Sequence, residues 1–447
     1  PRKRRAGKHS YRINIVAHLA FLLCLSWPAV ADVPRPLSEA DFIDFDPVQA
    51  ALGQLLFYDK ILSGNRNISC ATCHHPTFGT SDGLSLGIGE GGAGLGPKRT
   101  TGMEEDRIRK RIPRNASALW NLGARDIHTM FHDGRLMTSD RYGNGFDSPA
   151  EEWLPIGFNS ILAAQAVFPL VAQFEMSGNP SENEIAGAVH DRIDAAWPII
   201  AKRVRAIPAY GEKFVAAFGT IDTPDQVTIV EIANALAAFM GTEWQSFDSP
   251  FDAYLRGDKT AMTPTQTAGK DLFYGKASCA QCHSGPLLSD QDFHALALPQ
   301  FGPGRTRPFD PIPRDVGRMG KSDELPDAYR FRTPMLRNVA LTAPYGHNGA
   351  YPTLEGIVRH HLDEHPNWTR DLVDLPQAEW LAASDFAAQN DRLEAARHMR
   401  ARDTSPIQLS DIEIAELVEF LISLTGASAK QSLQGIPTRV PSGLTVD

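Results

Sequence analysis

The chain has 447 residues, of which 42% are hydrophobic and 22% are charged, and it contains 36 glycines and 32 prolines. These proportions are typical of a globular protein with many loops, and they exclude the disordered, collagen-like and coiled-coil classes. The formal net charge is −9, which argues against nucleic-acid binding because such proteins carry a basic surface. The length predicts two or three domains.

The N-terminal segment, residues 1–31, has the pattern of a secretory signal peptide. A basic start is followed by an apolar stretch and then by small residues that end at Ala31. This order predicts cleavage between Ala31 and Asp32. A membrane anchor is the alternative, but the apolar stretch contains Asn14 and His18 and is shorter than the ~20 residues that a span requires. We therefore expect an exported protein with no membrane span after cleavage.

The chain contains two copies of the C-x-x-C-H motif, which attaches c-type haem. Two thiols three positions apart fall on one side of a helical turn and can form thioethers with one porphyrin, and the following histidine becomes the proximal iron ligand. A zinc site would not place histidine after each pair, and a redox dithiol would not recur with the same following residue. Covalent haem also fits the bacterial periplasm as the location. The predicted haem-binding residues are Cys70, Cys73, His74, Cys279, Cys282 and His283.

A short G-x-x-L-F-Y segment precedes each motif, at residues 53–58 and 269–274. This repeat predicts two related domains, each with a helix that leads into a haem-attachment turn. We expect an all-α fold with long loops, in which residues 32–255 form the N-terminal domain and residues 256–447 the C-terminal domain. Apolar periodicity and capping signals predict helices at Ser160–Phe174, Ser181–Val189, Thr228–Met240, Pro264–Phe273 and Ser410–Leu424.

With these motifs the chain resembles the bacterial di-haem cytochrome c peroxidase superfamily, and within it the MauG-like branch. The resemblance implies two cytochrome-c-like domains with a calcium ion between the haems. It also implies that hydrogen peroxide reacts at the N-terminal haem to give high-valent iron, and that the C-terminal haem relays oxidising equivalents. The matching segments are LGQLLFYDKILSGNRNISCATCH, PRNASALWN, FHDGR, PLVAQFEMSG, MTPTQTAGKDLFYGKASCAQCH, FRTPMLRNVALTAPYGHNG and TLEGIVRHH.

The resemblance also implies residues on the distal side of the first haem, which match Gln165, Pro169 and Glu175. A carboxylate over an open haem can take a proton from one peroxide oxygen and return it to the other. Burial would raise the pKa of such a carboxyl group, which suits this role. The alternative is that Glu175 only caps or pairs at a helix end.

The implied calcium positions match Asn115, Thr342 and Pro344. Amide and main-chain oxygens suit this hard cation. An ordinary turn residue is the alternative for Asn115.

Three positions depart from the family pattern. Ile88 stands where the family has a histidine in the S-x-G-H-G loop, so we expect the first haem to be five-coordinate without reductive activation. His361 takes the place of a distal methionine or tyrosine at the second haem, with His360 and His365 as alternatives. His132 replaces the tryptophan that the family places between the haems.

Three functions follow from this interpretation. The first is a hydrogen-peroxide-dependent enzyme that oxidises a partner, with a side chain of a protein as the expected substrate. The second is a cytochrome c peroxidase that removes peroxide with electrons from a small redox protein. The third is a di-haem electron carrier without catalysis, which would contain two six-coordinate low-spin haems. The sequence does not predict the identity of the partner or the oligomeric state.

Overall fold

A computed structural model describes residues 32–363, 368–373, 375–431 and 433–447. The predicted leader, residues 1–31, and the alternative ligand His365 lie outside these ranges. The helices are α1 Pro47–Tyr58, α2 Cys70–Cys73, α3 Ile161–Ala166, α4 Glu184–Asp191, α5 Trp197–Arg205, α6 Pro208–Ala217, α7 Ile229–Glu243, α8 Pro250–Leu255, α9 Pro264–Tyr274, α10 Met319–Ser322, α11 Leu354–Leu362, α12 Ala382–Asp385, α13 Ala387–Asn390, α14 Arg392–Arg400 and α15 Asp411–Ile422. The strands are β1 Thr129–Met130, β2 Leu136–Thr138, β3 Phe146–Asp147, β4 Phe293–His294 and β5 Phe331–Arg332.

Helices dominate the fold, as expected. The short strands were not predicted; they form one antiparallel sheet in the order β1-β2-β3 and one antiparallel pair, β4-β5. In the described part of the chain, no helix combines the length and the apolar character that crossing a bilayer requires.

The predicted helices with strong capping signals are found close to their expected limits. Helix α15 begins after Ser410, whose hydroxyl accepts from Glu413 N while the Glu413 carboxylate accepts from Ser410 N at 2.8 Å. This reciprocal pair satisfies two main-chain donors at the helix start. Helices α7 and α9 begin at similar capping boxes. Helix α4 begins later than predicted because Asn183 acts as its N-cap.

The prediction of one continuous helix over residues 160–174 is wrong. Helix α3 ends at Ala166, a 3-10 turn follows at Pro169–Val171, and a π-helical turn occupies Gln173–Ser177. Proline has no main-chain N–H and cannot continue an α-helix. The break matters because the three predicted distal residues lie along this segment, one in each of its parts.

The two G-x-x-L-F-Y segments make the same packing contact in the two halves of the chain. Helix α1 crosses α7 at Gly53, and helix α9 crosses α15 at Gly269. A Cβ added at Gly53 would collide with the main-chain oxygen of Ala235, and one added at Gly269 would collide with that of Glu416. Glycine is therefore required at both crossings because the two helix backbones touch.

The aromatic residues beside these crossings repeat the same geometry. The rings of Phe57 and Phe239 are 5.3 Å apart between centroids, and those of Phe273 and Phe420 are 5.1 Å apart. Offset and edge contacts at such distances stabilise aromatic pairs. The internal repeat of the sequence is thus a repeat of structure, with one helix pair ahead of each haem-attachment turn.

The predicted boundary between residues 255 and 256 falls at the end of α8. Phe251 of α8 packs edge-on against Phe420 of α15, with 5.2 Å between ring centroids. The end of the chain returns to the first helix pair, where Ser442 Oγ donates to the Asp59 carboxylate at 2.6 Å. At both places, a residue of the predicted N-terminal domain contacts a residue of the predicted C-terminal domain. The two-domain division stays a prediction.

We predict that Gly53→Ala and Gly269→Ala each lower the free energy of unfolding by about 1–3 kcal/mol, because the new methyl group forces two helix backbones apart. Gly219→Ala is the matched control, since a Cβ there meets no atom within 4 Å. Denaturant unfolding of the three variants checks this. Equal stability of all three would contradict the backbone contact.

Candidate functional site

The first attachment turn is the short helix α2, Cys70–Cys73. It begins after Ser69, whose main-chain N–H donates to the hydroxyl of Thr72 at 3.0 Å. Both thiols are half-buried and form no disulfide. Burial raises the pKa of each thiol to about 12, because the pair lies beside an apolar core. The second attachment turn begins as a short 3-10 turn, Cys279–Gln281.

The two predicted proximal histidines are fixed in the same way. His74 Nδ1–H donates to the Thr80 carbonyl at 3.1 Å, and His283 Nδ1–H donates to the Leu288 carbonyl at 3.1 Å. A carbonyl partner selects the tautomer whose free nitrogen is Nε2, the usual arrangement for a metal-binding histidine. Burial lowers the pKa of both rings, that of His283 to about 4. Both imidazoles are therefore neutral and available as ligands.

His361 faces His283 across a space that fits an iron ion. The two ring centroids are 6.5 Å apart. A metal–nitrogen bond of about 2 Å on each side places two imidazole centres roughly 6–6.5 Å apart. His361 Nδ1–H donates to the Ile357 carbonyl at 2.8 Å, which leaves its Nε2 free. The ring separation and the free nitrogens fit a haem iron bound between these two residues.

The neighbouring His360 has both nitrogens engaged elsewhere. Its Nε2–H donates to the Leu296 carbonyl at 2.8 Å, and its Nδ1 accepts from the Tyr351 hydroxyl at 2.8 Å. Since neither nitrogen is free, His360 is a structural residue on α11. The sequence could not separate these adjacent histidines, because the choice depends on which face of the helix meets His283.

The predicted distal residues of the first site lie on the interrupted segment after α3. Gln165 is in the last turn of α3, Pro169 begins the 3-10 turn, and Glu175 lies in the π-helical turn. The charge of Glu175 contributes, together with burial, to the raised pKa of Cys73. Glu175 therefore lies near the attachment turn. Within the described residues, the side chains of Glu175 and Gln165 have no hydrogen-bond partner.

The environment of Glu175 favours its protonated form. Burial raises the pKa of this carboxyl group, while the charges of Arg135 and Arg305 oppose the rise. A half-buried acid with a raised pKa and no partner is available for proton transfer.

The loop that holds Ile88 packs against the turn that carries Glu175. Ile88 is fully buried in an apolar cluster with Leu84 and Ile108. The Arg99 guanidinium donates to the Ile88 carbonyl at 2.6 Å, and Glu90 N–H donates to the Glu175 carbonyl at 3.0 Å. An apolar side chain cannot bind iron, and this one contributes to the packing that anchors the loop.

A buried group of charges surrounds Asp133. Its carboxylate pairs with Arg114 at 2.8 Å, Arg135 at 3.1 Å and Arg305 at 3.4 Å. Burial opposes ionisation, but these three cations hold the pKa of Asp133 well below its usual range. Burial lowers the pKa of Arg332 to about 10, and within the described part of the chain this side chain donates only to main-chain carbonyls. The excess of half-buried cations fits the propionate groups of haem.

His132 connects the surroundings of the two proximal histidines. Burial lowers the pKa of His74, and an interaction with the main chain of Ser117 partly offsets this effect. The Ser117 hydroxyl lies 3.1 Å from His132 Nε2. On the other side, Arg332 N–H donates to the His132 carbonyl at 2.8 Å, and residue Pro334 interacts with the His283 ring. A run of contacts therefore leads from one proximal histidine to the other.

Trp120 and Trp153 make other contacts. Trp120 is buried beside the first attachment loop, where its Nε1–H donates to the Gly79 carbonyl at 3.1 Å. Trp153 is half-exposed and stacks under the Arg192 guanidinium at 4.3 Å. His132 is itself neutral, because burial, together with the charges of Arg114 and Arg332, lowers its pKa to about 3.

The predicted calcium residues lie in neighbouring segments. Asn115 N–H donates to the His347 carbonyl at 2.9 Å, and its side-chain amide donates to the Leu84 carbonyl at 2.7 Å. The first contact places Asn115 alongside the segment that contains Thr342 and Pro344. The amide of Asn115 keeps its oxygen available, which is the atom that a calcium ion would use.

The chain is similar to several known proteins. The family model described as di-haem cytochrome c peroxidase matches residues 47–260. The methylamine utilization protein MauG of Methylorubrum extorquens is 30% identical over 354 residues, which are 78% of this chain and 77% of that protein. Cytochrome c peroxidase Ccp of Escherichia coli is 31% identical over 315 residues, 70% of this chain but only 53% of that protein.

A solved structure described as a MauG-like protein associated with microbial copper homeostasis has a TM-score of 0.59 and 26% identity. The match covers 93% of this chain and 99% of that one.

Two attachment turns, each with a neutral histidine whose Nε2 is free, define a di-haem c-type cytochrome. The chain belongs to the di-haem cytochrome c peroxidase and MauG family. It is an oxidoreductase of the hydrogen-peroxide-dependent type, and the family implies two covalently attached haems.

We predict that His361→Ala removes the low-spin bis-histidine signal from the ferric electron paramagnetic resonance spectrum, because the ring opposite His283 is lost. The signal of the other haem should stay unchanged. His360→Ala is the matched variant on the same helix and should keep the low-spin signal, because His360 has no free nitrogen. Loss of a high-spin signal in His361→Ala would instead mean that the two haems are assigned the wrong way round.

Proposed function

We propose that this chain is a periplasmic di-haem enzyme that reacts with hydrogen peroxide at the site of Cys70 and Cys73 and oxidises a side chain of a partner protein. The observation that carries the proposal is the difference between the two sites. His361 stands opposite His283, whereas the residues near the first site are an unpartnered carboxyl group, Glu175, and a loop whose Ile88 is turned into an apolar cluster.

When bound, the haems supply the iron that reacts with peroxide and stores oxidising equivalents. The protein supplies the proton transfer. Glu175 accepts a proton from the nearer peroxide oxygen and returns it to the departing one, and the side-chain amide of Gln165 orients the peroxide beside it. Pro169 begins the turn that separates Gln165 from Glu175, so both side chains belong to one rigid segment. The charges of Arg135 and Arg305 limit the rise in the pKa of Glu175 and so favour its ionised form.

The proposal includes a first site that is open without reduction. In this proposal Ile88 leaves the distal face free in the resting ferric protein, because the loop is anchored by Arg99 and by the main chain of Glu175. His283 and His361 would both hold the second haem, and two imidazole ligands suit a haem that only transfers electrons.

The proposed partner is a protein. In this proposal electrons leave the protein substrate over a distance, so direct contact between its side chain and a haem is unnecessary. The relatives named MauG support this MauG-like role in maturation. Relatives named cytochrome c peroxidase favour the second candidate, which is peroxide removal with a small redox protein as electron donor.

The calcium ion belongs to the proposal as well. We infer that Asn115, Thr342 and Pro344 hold one calcium ion through amide and main-chain oxygens. Metal analysis of the purified protein should find about one calcium per chain and a clear loss in Asn115→Ala. Retention of calcium in that variant would exclude Asn115 as a ligand.

The resting ferric spectrum tests whether the protein is an enzyme or only an electron carrier. We expect a high-spin component that disappears when stoichiometric peroxide is added, because one iron has a free face. Two low-spin haems that do not respond to peroxide would exclude the catalytic proposal.

To separate the two enzymatic candidates, the peroxide-treated protein is mixed with candidate periplasmic proteins and with a reduced small cytochrome. A mass change at a tryptophan or tyrosine of a partner, found by peptide mass spectrometry, supports side-chain oxidation. Rapid oxidation of the cytochrome without such a change supports peroxide removal.

We predict that Glu175→Gln lowers the second-order rate of the peroxide reaction by about 10²–10⁴-fold while both haems stay attached, because the proton acceptor is lost. Glu152→Gln, at an exposed position, is the matched control. Stopped-flow spectroscopy measures the rate. An unchanged rate in Glu175→Gln would rule out this assignment.

The pH dependence gives a second test of the same residue. Because burial raises the pKa of Glu175 against the charges of Arg135 and Arg305, the carboxyl group is protonated up to a higher pH than an exposed glutamate. The rate should therefore rise with pH through that raised pKa, since the carboxylate is the active form. In Glu175→Gln the same range of pH should show no rise.

A further inference from the structure

A separate cavity lies beside the turn that carries Glu175, and the proposed reaction does not use it. Its volume is about 490 Å³ and it opens to solvent. Residues 173–174 form one wall, Arg109 and Lys110 another, and Trp380 a third. None of its lining residues is an attachment cysteine or a proximal histidine.

Lys110 is the unusual residue of this cavity. It is half-buried, and in the described part of the chain its Nζ has no hydrogen-bond acceptor and no carboxylate partner. The nearest aromatic ring is that of Phe174, with its centroid 5.7 Å away. Burial, together with the charge of Arg305, lowers the pKa of the Lys110 amine. A buried cation without a partner is costly, and a bound anion would offset that cost.

The second cation of the cavity is also available. Arg109 is mostly exposed and makes only a long contact with Glu182, at 3.9 Å. Two cations without close carboxylates stand out in a chain whose net charge is −9. Together they give the cavity a positive potential, which attracts anions.

An aromatic surface completes the cavity. Trp380 is 40% exposed, and its ring is held in place because Nε1–H donates to the Ile108 carbonyl at 2.9 Å and the Arg107 guanidinium lies 4.4 Å from its centroid. The hydroxyls of Thr306 and Ser384 already donate to main-chain carbonyls. The main recognition elements left for a ligand are therefore positive charge and an aromatic ring.

We propose that this cavity binds a small organic anion that carries an aromatic ring, with its carboxylate on Lys110 and its ring beside Trp380. The volume lies within the usual range of ~300–1,000 Å³ for small-molecule sites. A carboxylate on the Lys110 ammonium forms a charge-assisted hydrogen bond that water does not fully replace in a half-buried place. Gln173 and Phe174 of the lining precede Glu175 in the chain, so such a ligand would lie beside the turn that carries Glu175.

Isothermal titration calorimetry of the haem-loaded, full-length protein tests this proposal, with 4-hydroxyphenylacetate as the probe and its neutral amide as the comparison ligand. We expect saturable binding of the acid and at least tenfold weaker binding of the amide, because only the acid offsets the lysine charge. Lys110→Met, which keeps most of the length of the side chain and removes its charge, should weaken binding of the acid by about tenfold or more. Lys110→Arg should restore most of the affinity.

Lys98→Met is the matched control, because Lys98 is an exposed lysine outside the cavity. An unchanged haem spectrum shows that each variant is folded. Equal affinity for the acid and the amide, wild-type affinity in Lys110→Met, or the absence of saturable binding of the acid would each overturn the proposal. The readout is equilibrium binding, so the result does not depend on whether Glu175 assists the peroxide reaction.

Discussion

The direct contact between helix backbones at Gly53 and Gly269 is the constraint on which the rest of the structure depends. At each crossing, a main-chain oxygen of the partner helix occupies the space where any other residue would have its Cβ. Such close packing fixes both the distance and the angle between two helices. Helix α1 is followed by the first attachment turn, and helix α9 by the second. The position of each pair of cysteines is therefore set by a contact that lies outside the haem site.

The loops that follow the attachment turns orient the proximal histidines. Each attachment turn is followed by a loop whose carbonyl, that of Thr80 or Leu288, accepts from Nδ1 of the preceding histidine. Burial then keeps both rings neutral. A metal ligand must be both deprotonated at the binding nitrogen and held in one orientation; burial meets the first condition and the main-chain carbonyls meet the second. The difference between the two sites therefore arises on their distal sides, where His361 faces one and Glu175 lies near the other.

The parts of the fold that were predicted from the sequence depend on local signals. The attachment turns follow from the spacing of cysteine and histidine, and α15 follows from the capping box of Ser410 and Glu413. The prediction of one helix over residues 160–174 was wrong because it relied on the helical spacing of the apolar residues and neglected Pro169. The choice between His360 and His361 depends on contacts with residues far away in the sequence, so no local pattern could decide it. The cavity at Lys110 was missed for the same reason, since its walls come from three distant segments.

The replacement of tryptophan by His132 changes what the region between the two proximal histidines can do. A neutral imidazole among arginines is difficult to oxidise, because removing an electron adds positive charge where Arg114 and Arg332 already lower the pKa of His132. The residue serves better as a connector: its ring lies beside the Ser117 hydroxyl and its carbonyl accepts from Arg332. Electrons that pass this way would tunnel through hydrogen-bonded and covalent contacts without resting on a side chain. Arg332, one of the cations that disfavour a radical at His132, would also suit a haem propionate, because in the described part of the chain its side chain donates only to main-chain carbonyls.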